Sequence, residues 1–371
     1  MYRAWAEIDT KALQQNLSYA KELSKRKVMC VIKGNAHGHG AVECAKILQK
    51  AGADAFGVAC FEEACELREA RIRLPVLILG FTDPRFVLQL INKDIIQSGF
   101  DLDYAKELND AAKHFGRSVR IHAKIDTGMT RTGIFAQGDP DKAADEVIEM
   151  AKLPNLDVCG IFTHFSSADM PEKDEYTAWQ LQNFKAVLDS LKKKGFDTDR
   201  LVKHAGNSAC IMYHPDIGFD MVREGVMMYG FYPNGVWEED GPLAPVLTLC
   251  SRVAQVKEIP AGTCVSYGCT FTSEQPMKIA AVSAGYADSY PRSVSNKGAW
   301  AVINGVRCPQ IGRVCMDMCL FDVTGVDVKR GDKVILYGKG GMPLDELAAL
   351  TGTINCEITS LLTNRVERIY L

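Results

Sequence analysis

A lysine set directly after an apolar run is the first residue here that could do chemistry. Lys33 follows Val28-Met29-Cys30-Val31-Ile32 and opens the glycine-rich stretch Lys33-Gly-Asn-Ala-His-Gly-His-Gly. Partial desolvation at such a place shifts an amine toward its neutral, nucleophilic form, which a Schiff-base lysine needs. The glycines would let the backbone approach a ligand closely. A solvated amine that snorkels from its strand is the alternative reading. Further along, HAGNSA carries Ser208, and DMVREGVMMYG carries Arg223 followed by Gly225. Successive backbone N–H groups there, with the Ser208 hydroxyl, could cradle a phosphate. His37 and His39 could be taken for a metal pair, but their i,i+2 spacing has no carboxylate or cysteine beside it. Cys315 and Cys319 likewise lack a second pair at zinc spacing, so no metal is expected.

The elements that must position these residues alternate regularly. Asp9 or Thr10 can cap a helix whose apolar positions Leu13, Leu17, Ala20 and Leu23 recur at helical spacing. Strand-like runs follow at 28–32, 55–58, 75–79, 95–98, 119–125, 156–162, 201–204 and 221–223, with helical patterns between most of them, including 41–50. Such alternation predicts a (β/α)8 TIM-type barrel, with a doubly wound open sheet as the structural alternative. In a barrel, function collects at the C-terminal ends of the strands. Lys33, His164, the HAGNSA stretch and Arg223 all fall there. After Gly230 the pattern turns β-rich, with runs at 246–257, 277–282, 301–303, 306–311 and 333–337 and one helix near 344–350. Asn304-Gly305 is a hairpin turn signal. The expected organisation is a barrel over 9–230 and a mostly β C-terminal domain over 231–371 that also takes in 1–8, with 231–241 as linker.

Composition narrows the function classes. A net charge of −3 gives no electrostatic case for nucleic acid or an anionic membrane. No stretch approaches the roughly 18 apolar residues of a membrane span, and the start MYRAWAEIDTKAL does not read as a secretory signal. The 13 cysteines are scattered through apolar segments such as VMCVI, DVCGIF and LTLCS. They read as buried thiols in a reducing cytoplasm.

Nine segments in order, VIKGNAHGHG, AKIDTGMTRTGI, GIFTHFSSAD, HAGNSA, MVREGVMMYG, VSYGCTFT, GYADSYPR, IGRVCMDM and TINCEI, give the chain a resemblance to the alanine racemases over nearly its whole length. The resemblance implies a pyridoxal-phosphate enzyme that interconverts L- and D-alanine, supplying D-alanine for peptidoglycan. It also implies a homodimer whose sites are each completed by the other chain's β domain. Lys33 then resembles the cofactor-bearing lysine and one of two proton-transfer bases, and Tyr267 the opposite base, reaching over from the partner. Arg223 matches the arginine facing the pyridine nitrogen, and His164 the histidine beside it. Arg131 matches the arginine near the cofactor's phenolic oxygen and the substrate carboxylate, and Lys124 a lysine carbamylated in many members. Ser208, Gly225 and Val226 match phosphate-binding positions. Met316 and Asp317 match pocket-lining residues, and Tyr286 a tyrosine near the entrance.

These implied roles are chemically coherent. Two bases on opposite faces of Cα allow deprotonation and reprotonation, provided nearby charge or desolvation tunes them. Arg223 keeps its proton, so the ring would be a weaker electron sink than one paired with a carboxylate. A carbamate on Lys124 would orient Arg131. Two departures stand out: His37 and Cys356 occupy positions where the family usually has tyrosines that reach the cofactor phosphate. A thiol is a weak donor and leaves space, which keeps serine or several small amino acids open as substrates. A non-catalytic pyridoxal-phosphate carrier would lack the β domain, and a fold-related decarboxylase would place a carboxylate where Arg223 stands.

Overall fold

The protein, described by a computed structural model over residues 2–236, 238 and 240–371, forms two compact units. One comprises residues 17–34 and 41–228; the other comprises 1–16, 35–40 and 229–371.

The first unit is built on strands whose two faces are both covered, which is why they read as continuous apolar runs rather than alternating ones. Lys27–Val31, Ala55–Val58, Val76–Ile78, Ile95–Gly99, Val119–Asp126, Leu156–Phe162, Val202–His204 and Met221–Glu224 pair in parallel, each with the next. The ring closes where Met221 pairs with Lys27 and Glu224 with Cys30. A closed ring rules out the open doubly wound sheet. Helices fall between the strands, among them Ala41–Lys50, Leu102–Ala112, Pro140–Lys152 and Asp174–Lys193. The helix Thr10–Ser24 is capped by Asp9, whose Oδ1 accepts from the N–H groups of Lys11 (3.1 Å) and Ala12 (3.0 Å). Leu13, Leu17 and Ala20 on it are fully buried, whereas Leu23 is half-buried.

The first strand stops at Val31, so Lys33 stands in the turn beyond it and not at its last residue. The reason is in the backbone. Gly34, Asn35, Ala36 and His37 have φ of 61°, 52°, 54° and 50°, a left-handed turn. For non-glycine residues this conformation costs roughly 1–2 kcal/mol each. Tertiary contacts offset the cost: Arg368 Nε donates to the Gly38 carbonyl (2.8 Å), and the Tyr370 hydroxyl to the His39 carbonyl (3.0 Å). The rings of His37 and His39 lie 4.8 Å and 4.4 Å from that of Tyr229.

In the second unit an eight-stranded sheet runs Met277–Val282, Cys319–Asp322, Val306–Ile311, Trp300–Ile303, Lys333–Tyr337, Leu247–Ile259, Ala4–Ile8 and Glu367–Tyr370. Its pairings are antiparallel except the last, between Ala4–Ile8 and Glu367–Tyr370. Asn304 (φ 51°) and Gly305 (φ 80°) make the expected two-residue hairpin turn, with Ile303 opposite Val306. Besides the helix Leu344–Thr351 there is a second, Asn355–Ser360, too short to leave a periodic pattern in the sequence.

The stretch 231–241 begins with packed residues, and the expectation of buried cysteines needs correction. Phe231 and Tyr232 are buried, and the Tyr232 hydroxyl accepts from the Leu243 N–H (3.4 Å); Trp237 and Glu239 lie outside the described residues. The cysteines are all free, and eleven are buried or half-buried, but Cys264 and Cys269 are exposed. Among the described residues no helix is long and apolar enough to cross a membrane.

Gly38 (φ +89°) packs so tightly on the helix Asn355–Ser360 that a Cβ there would collide with the Thr359 carbonyl oxygen. Gly38→Ala is expected to destabilise by about 1–3 kcal/mol from backbone conformation alone. Calorimetry should show a Tm lowered by several degrees; an unchanged midpoint would contradict the close packing.

Candidate active site

The barrel gathers its cations at the C-terminal ends of its strands. Lys33 is pinned from both sides: the Ile32 N–H donates to the Gly57 carbonyl (2.9 Å), and the Gly34 N–H to Glu63 Oε1 (2.6 Å). The other Glu63 oxygen accepts from the Ala59 N–H (2.7 Å), tying this turn to the end of the neighbouring strand. Lys124 and Arg223 both stand over the Phe162 ring, at 5.9 Å and 5.4 Å from its centroid. The Phe162 ring in turn stacks on His204 at 4.7 Å. The Lys124 ammonium donates to the Thr132 hydroxyl.

Arg223 is buried, and its hydrogen-bond partners are all neutral. Nη1 donates to His204 Nδ1 (2.9 Å). Nη2 donates to the Thr163 carbonyl (2.7 Å), His164 Nδ1 (3.0 Å) and the Ala205 carbonyl (3.0 Å). A guanidinium has no acceptor, so it fixes the histidine tautomers in turn. His204 must accept at Nδ1 and carry its proton on Nε2, which donates to His122 Nδ1 (2.9 Å). His164, accepting at Nδ1, carries its proton on Nε2. Burial, then the charge of Arg223, holds His204 well below the ordinary histidine range. Burial and the charge of Arg120 and Arg223 bring His122 to about 3. Burial, then the charges of Arg223, Arg131, Lys124 and Lys33, holds His164 well below the ordinary histidine range.

Among the described residues no carboxylate hydrogen-bonds Arg223. Glu224, next on the strand, has neither oxygen hydrogen-bonded among the described residues, and burial drives its carboxyl well above the ordinary range. Arg223 itself is lowered to about 10 by burial, with a contribution from Arg131, and stays protonated at neutral pH. Beside it, the Ser208 hydroxyl accepts from the Gly225 N–H (2.9 Å) and the Met227 N–H (3.4 Å), joining the expected cradle residues; Val226 lies between those two amides.

The second unit brings together another group. Ser266 Oγ donates to the Arg313 carbonyl (2.6 Å), fastening the turn that carries Tyr267 to the loop leading to Met316 and Asp317. Tyr286 N–H donates to the Cys315 carbonyl and Ala287 N–H to the Met316 carbonyl, each at 3.1 Å. Beneath them Asp288 is fully buried and takes both Arg365 (2.7 and 3.0 Å) and Arg3 (2.5 Å); Arg365 also reaches Asp317 Oδ1 (2.6 Å). Tyr267 is 66% exposed and Met316 52%, so both project from their own unit. His37 and Cys356 belong to this unit as well.

Glu63, His122, His204, Phe162, Asp288 and Arg365 were not picked out from the sequence. A histidine and a lysine two residues apart inside the apolar run VRIHAKID were the one available signal. Among the described residues no group of three or more His, Cys, Asp or Glu could hold a metal ion.

A (β/α)8 barrel followed by an antiparallel β domain defines a fold shared with known enzymes. Residues 8–233 match "Alanine racemase, N-terminal domain" and 246–370 match "Alanine racemase, C-terminal domain". The chain is 43% identical to an alanine racemase of Clostridium perfringens (99% of this chain, 95% of that protein). It is 40% identical to one of Methanococcus maripaludis (99% and 98%). A solved alanine racemase of Clostridium difficile superposes with a TM-score of 0.92 at 38% identity, covering 100% of this chain and 96% of that one. The same racemase in complex with cycloserine gives 0.91 at 36% identity, with the same coverage. The chain therefore belongs to the alanine racemase family, a family of isomerases.

Burial and the charges of Arg131, Arg223 and Lys33 bring Lys124 down to about 8. Its amine should therefore turn neutral and reactive as pH rises through about 8, well before an ordinary lysine. Competitive acylation across pH, read by peptide mass spectrometry, should show this midpoint, and Arg131→Ala should move it upward. A midpoint in the ordinary lysine range would contradict the assignment.

Proposed function

We propose that this chain interconverts L- and D-alanine with pyridoxal 5'-phosphate, in a homodimer whose two sites each draw residues from both chains. The observation that carries this reading is the buried Arg223 guanidinium, held by carbonyls and imidazoles, with the Lys124 ammonium beside it over the Phe162 ring. Buried positive charge favours an anionic ligand, and the phosphate and phenolic oxygen of the cofactor supply one. The cradle of Ser208 and the amides around Gly225 suits the phosphate, and His37, Val226 and Cys356 are assigned beside it. When bound, the cofactor supplies an electron sink that acidifies the substrate Cα–H.

The chain's own residues do the rest. Lys33 carries the cofactor covalently and moves a proton on one face of Cα. Tyr267 of the partner subunit moves a proton on the other, and its exposure suits a phenol that works outside its own chain. His164, with its proton fixed on Nε2 by Arg223, offers a donor toward that phenol. Arg223 donates without releasing its proton, which restrains electron withdrawal by the ring and would limit side reactions such as transamination. Arg131 orients the substrate carboxylate, and Met316, Asp317 and Tyr286 line the substrate side. A near-neutral Lys124 amine can add carbon dioxide, and the resulting carbamate would pair with Arg131. The product would serve cell-wall synthesis in a reducing cytoplasm, which thirteen free thiols favour.

Borohydride reduction of the purified holoenzyme should fix the cofactor on the Lys33 peptide alone. Lys33→Ala and Tyr267→Phe should each be inactive, and mixing the two under subunit exchange should restore activity, since one of the two sites in a heterodimer is then intact. Label on another lysine would overturn the role of Lys33; proven exchange without recovery would overturn the shared site.

A further inference from the structure

At the other end of the barrel, around the first residues of its strands, a cavity of about 750 Å³ lies wholly within the first unit. Its floor is a buried apolar layer that includes Met29, Leu77, Ile96 and Met221. Its rim is basic. Lys25, Arg26, Lys27 and Arg200 are exposed there, and none is in an ion pair among the described residues. Two of the rim carboxylates are already taken, Asp54 by Lys21 (3.0 Å) and Asp220 by Lys203 (3.3 Å). That leaves Asp199 alone against four cations.

One polar side chain reaches this cavity from the barrel interior. His122 lines it and is only 3% exposed. It stands two residues beyond the rim residue Arg120 on the strand Val119–Asp126, about 7 Å deeper. Its Nδ1 accepts from His204 Nε2 (2.9 Å), so its own proton sits on Nε2, and among the described residues that N–H has no acceptor. A buried donor left unpaired is costly, and an acceptor brought in by a ligand removes the cost.

We propose that this cavity is a second ligand site, taking an aromatic carboxylate with a neutral oxygen acceptor at its far end, and that His122 relays its occupancy to His204 and Arg223. Each part of the ligand answers a feature of the site. The carboxylate meets the unpaired rim cations in charge-assisted contacts. The ring lies against the sulfurs of Met29 and Met221, which favour aromatic edges. The far oxygen accepts from His122 Nε2–H. The volume falls within the range of small-molecule sites. Donating at Nε2 makes Nδ1 a stronger acceptor, which tightens the bond from His204 and, through it, the bond from Arg223. The shared site proposed above lies at the opposite ends of these strands, so the partner that completes it approaches the other face of the barrel.

The test is a titration of histidine-labelled holoenzyme with 4-acetylbenzoate, followed by side-chain nitrogen NMR. The Nε2–H signals of His122 and His204 should move together and saturate, with a Kd on the order of 0.1–1 mM for so small a ligand. Benzoate, which lacks the far acceptor, should bind about five- to tenfold more weakly. The double variant Arg26→Ser, Arg200→Ser alters only exposed rim residues. It should keep the basal racemisation rate and bind the probe at least roughly tenfold more weakly. Unmoved histidine signals at about ten times that Kd would overturn the proposal. So would equal affinity for benzoate, or undiminished binding by the rim variant. A shift at His164 without one at His122 would place the probe at the mouth of the barrel and equally overturn it. Movement of His122 with His204 silent would overturn the relay.

Discussion

The barrel site depends on how the guanidinium of Arg223 is held. A buried cation is usually offset by a carboxylate, because desolvation costs several kcal/mol per ion. Here it is offset only by carbonyls and imidazoles. Since arginine can only donate, this one residue orients three histidines in a line, His164 on one side and His204 then His122 on the other. The line also explains Gly160. A Cβ there would lie 2.5 Å from the His122 ring, so the barrel interior makes room for this imidazole by omitting a side chain.

The same constraint sets the charge of the site. Histidines held neutral add no positive charge, but they bring no negative charge either. Burial raises the Glu224 carboxyl, while burial and then the mutual charges of Lys33, Lys124, Arg131 and Arg223 lower Lys124 and His164. The second unit uses the opposite arrangement. Asp288, fully buried, is balanced by two arginines and thereby holds the loops bearing Tyr286 and Asp317 in register.

Much of this could be read from the sequence, for identifiable reasons. Barrel strands buried on both faces leave apolar runs, so 55–58 and 156–162 coincide with the observed elements, and the other barrel strands differ by one residue at one or both ends. Lys33 and Arg223 were legible because a charged residue at the end of such a run is conspicuous. Phe162, His122 and His204 were not, because an apolar run does not reveal which alternate residues point inward. The left-handed turn through Ala36 and His37 was illegible for another reason. Nothing local favours it, and it is held by Arg368 and Tyr370, more than three hundred residues away. The exposed thiols were missed because most cysteines in this chain do follow the buried rule, and only the hairpin fold separates these two from the rest.

The tautomer line can be tested directly by side-chain nitrogen NMR of histidine-labelled holoenzyme. His122, His164 and His204 should all be neutral from pH 6 to 8, each protonated on Nε2, as a donating Arg223 with low-titrating imidazoles requires. An imidazolium signal from His204 or His164 in that interval, or a proton on Nδ1 of either, would contradict the arrangement on which the site rests.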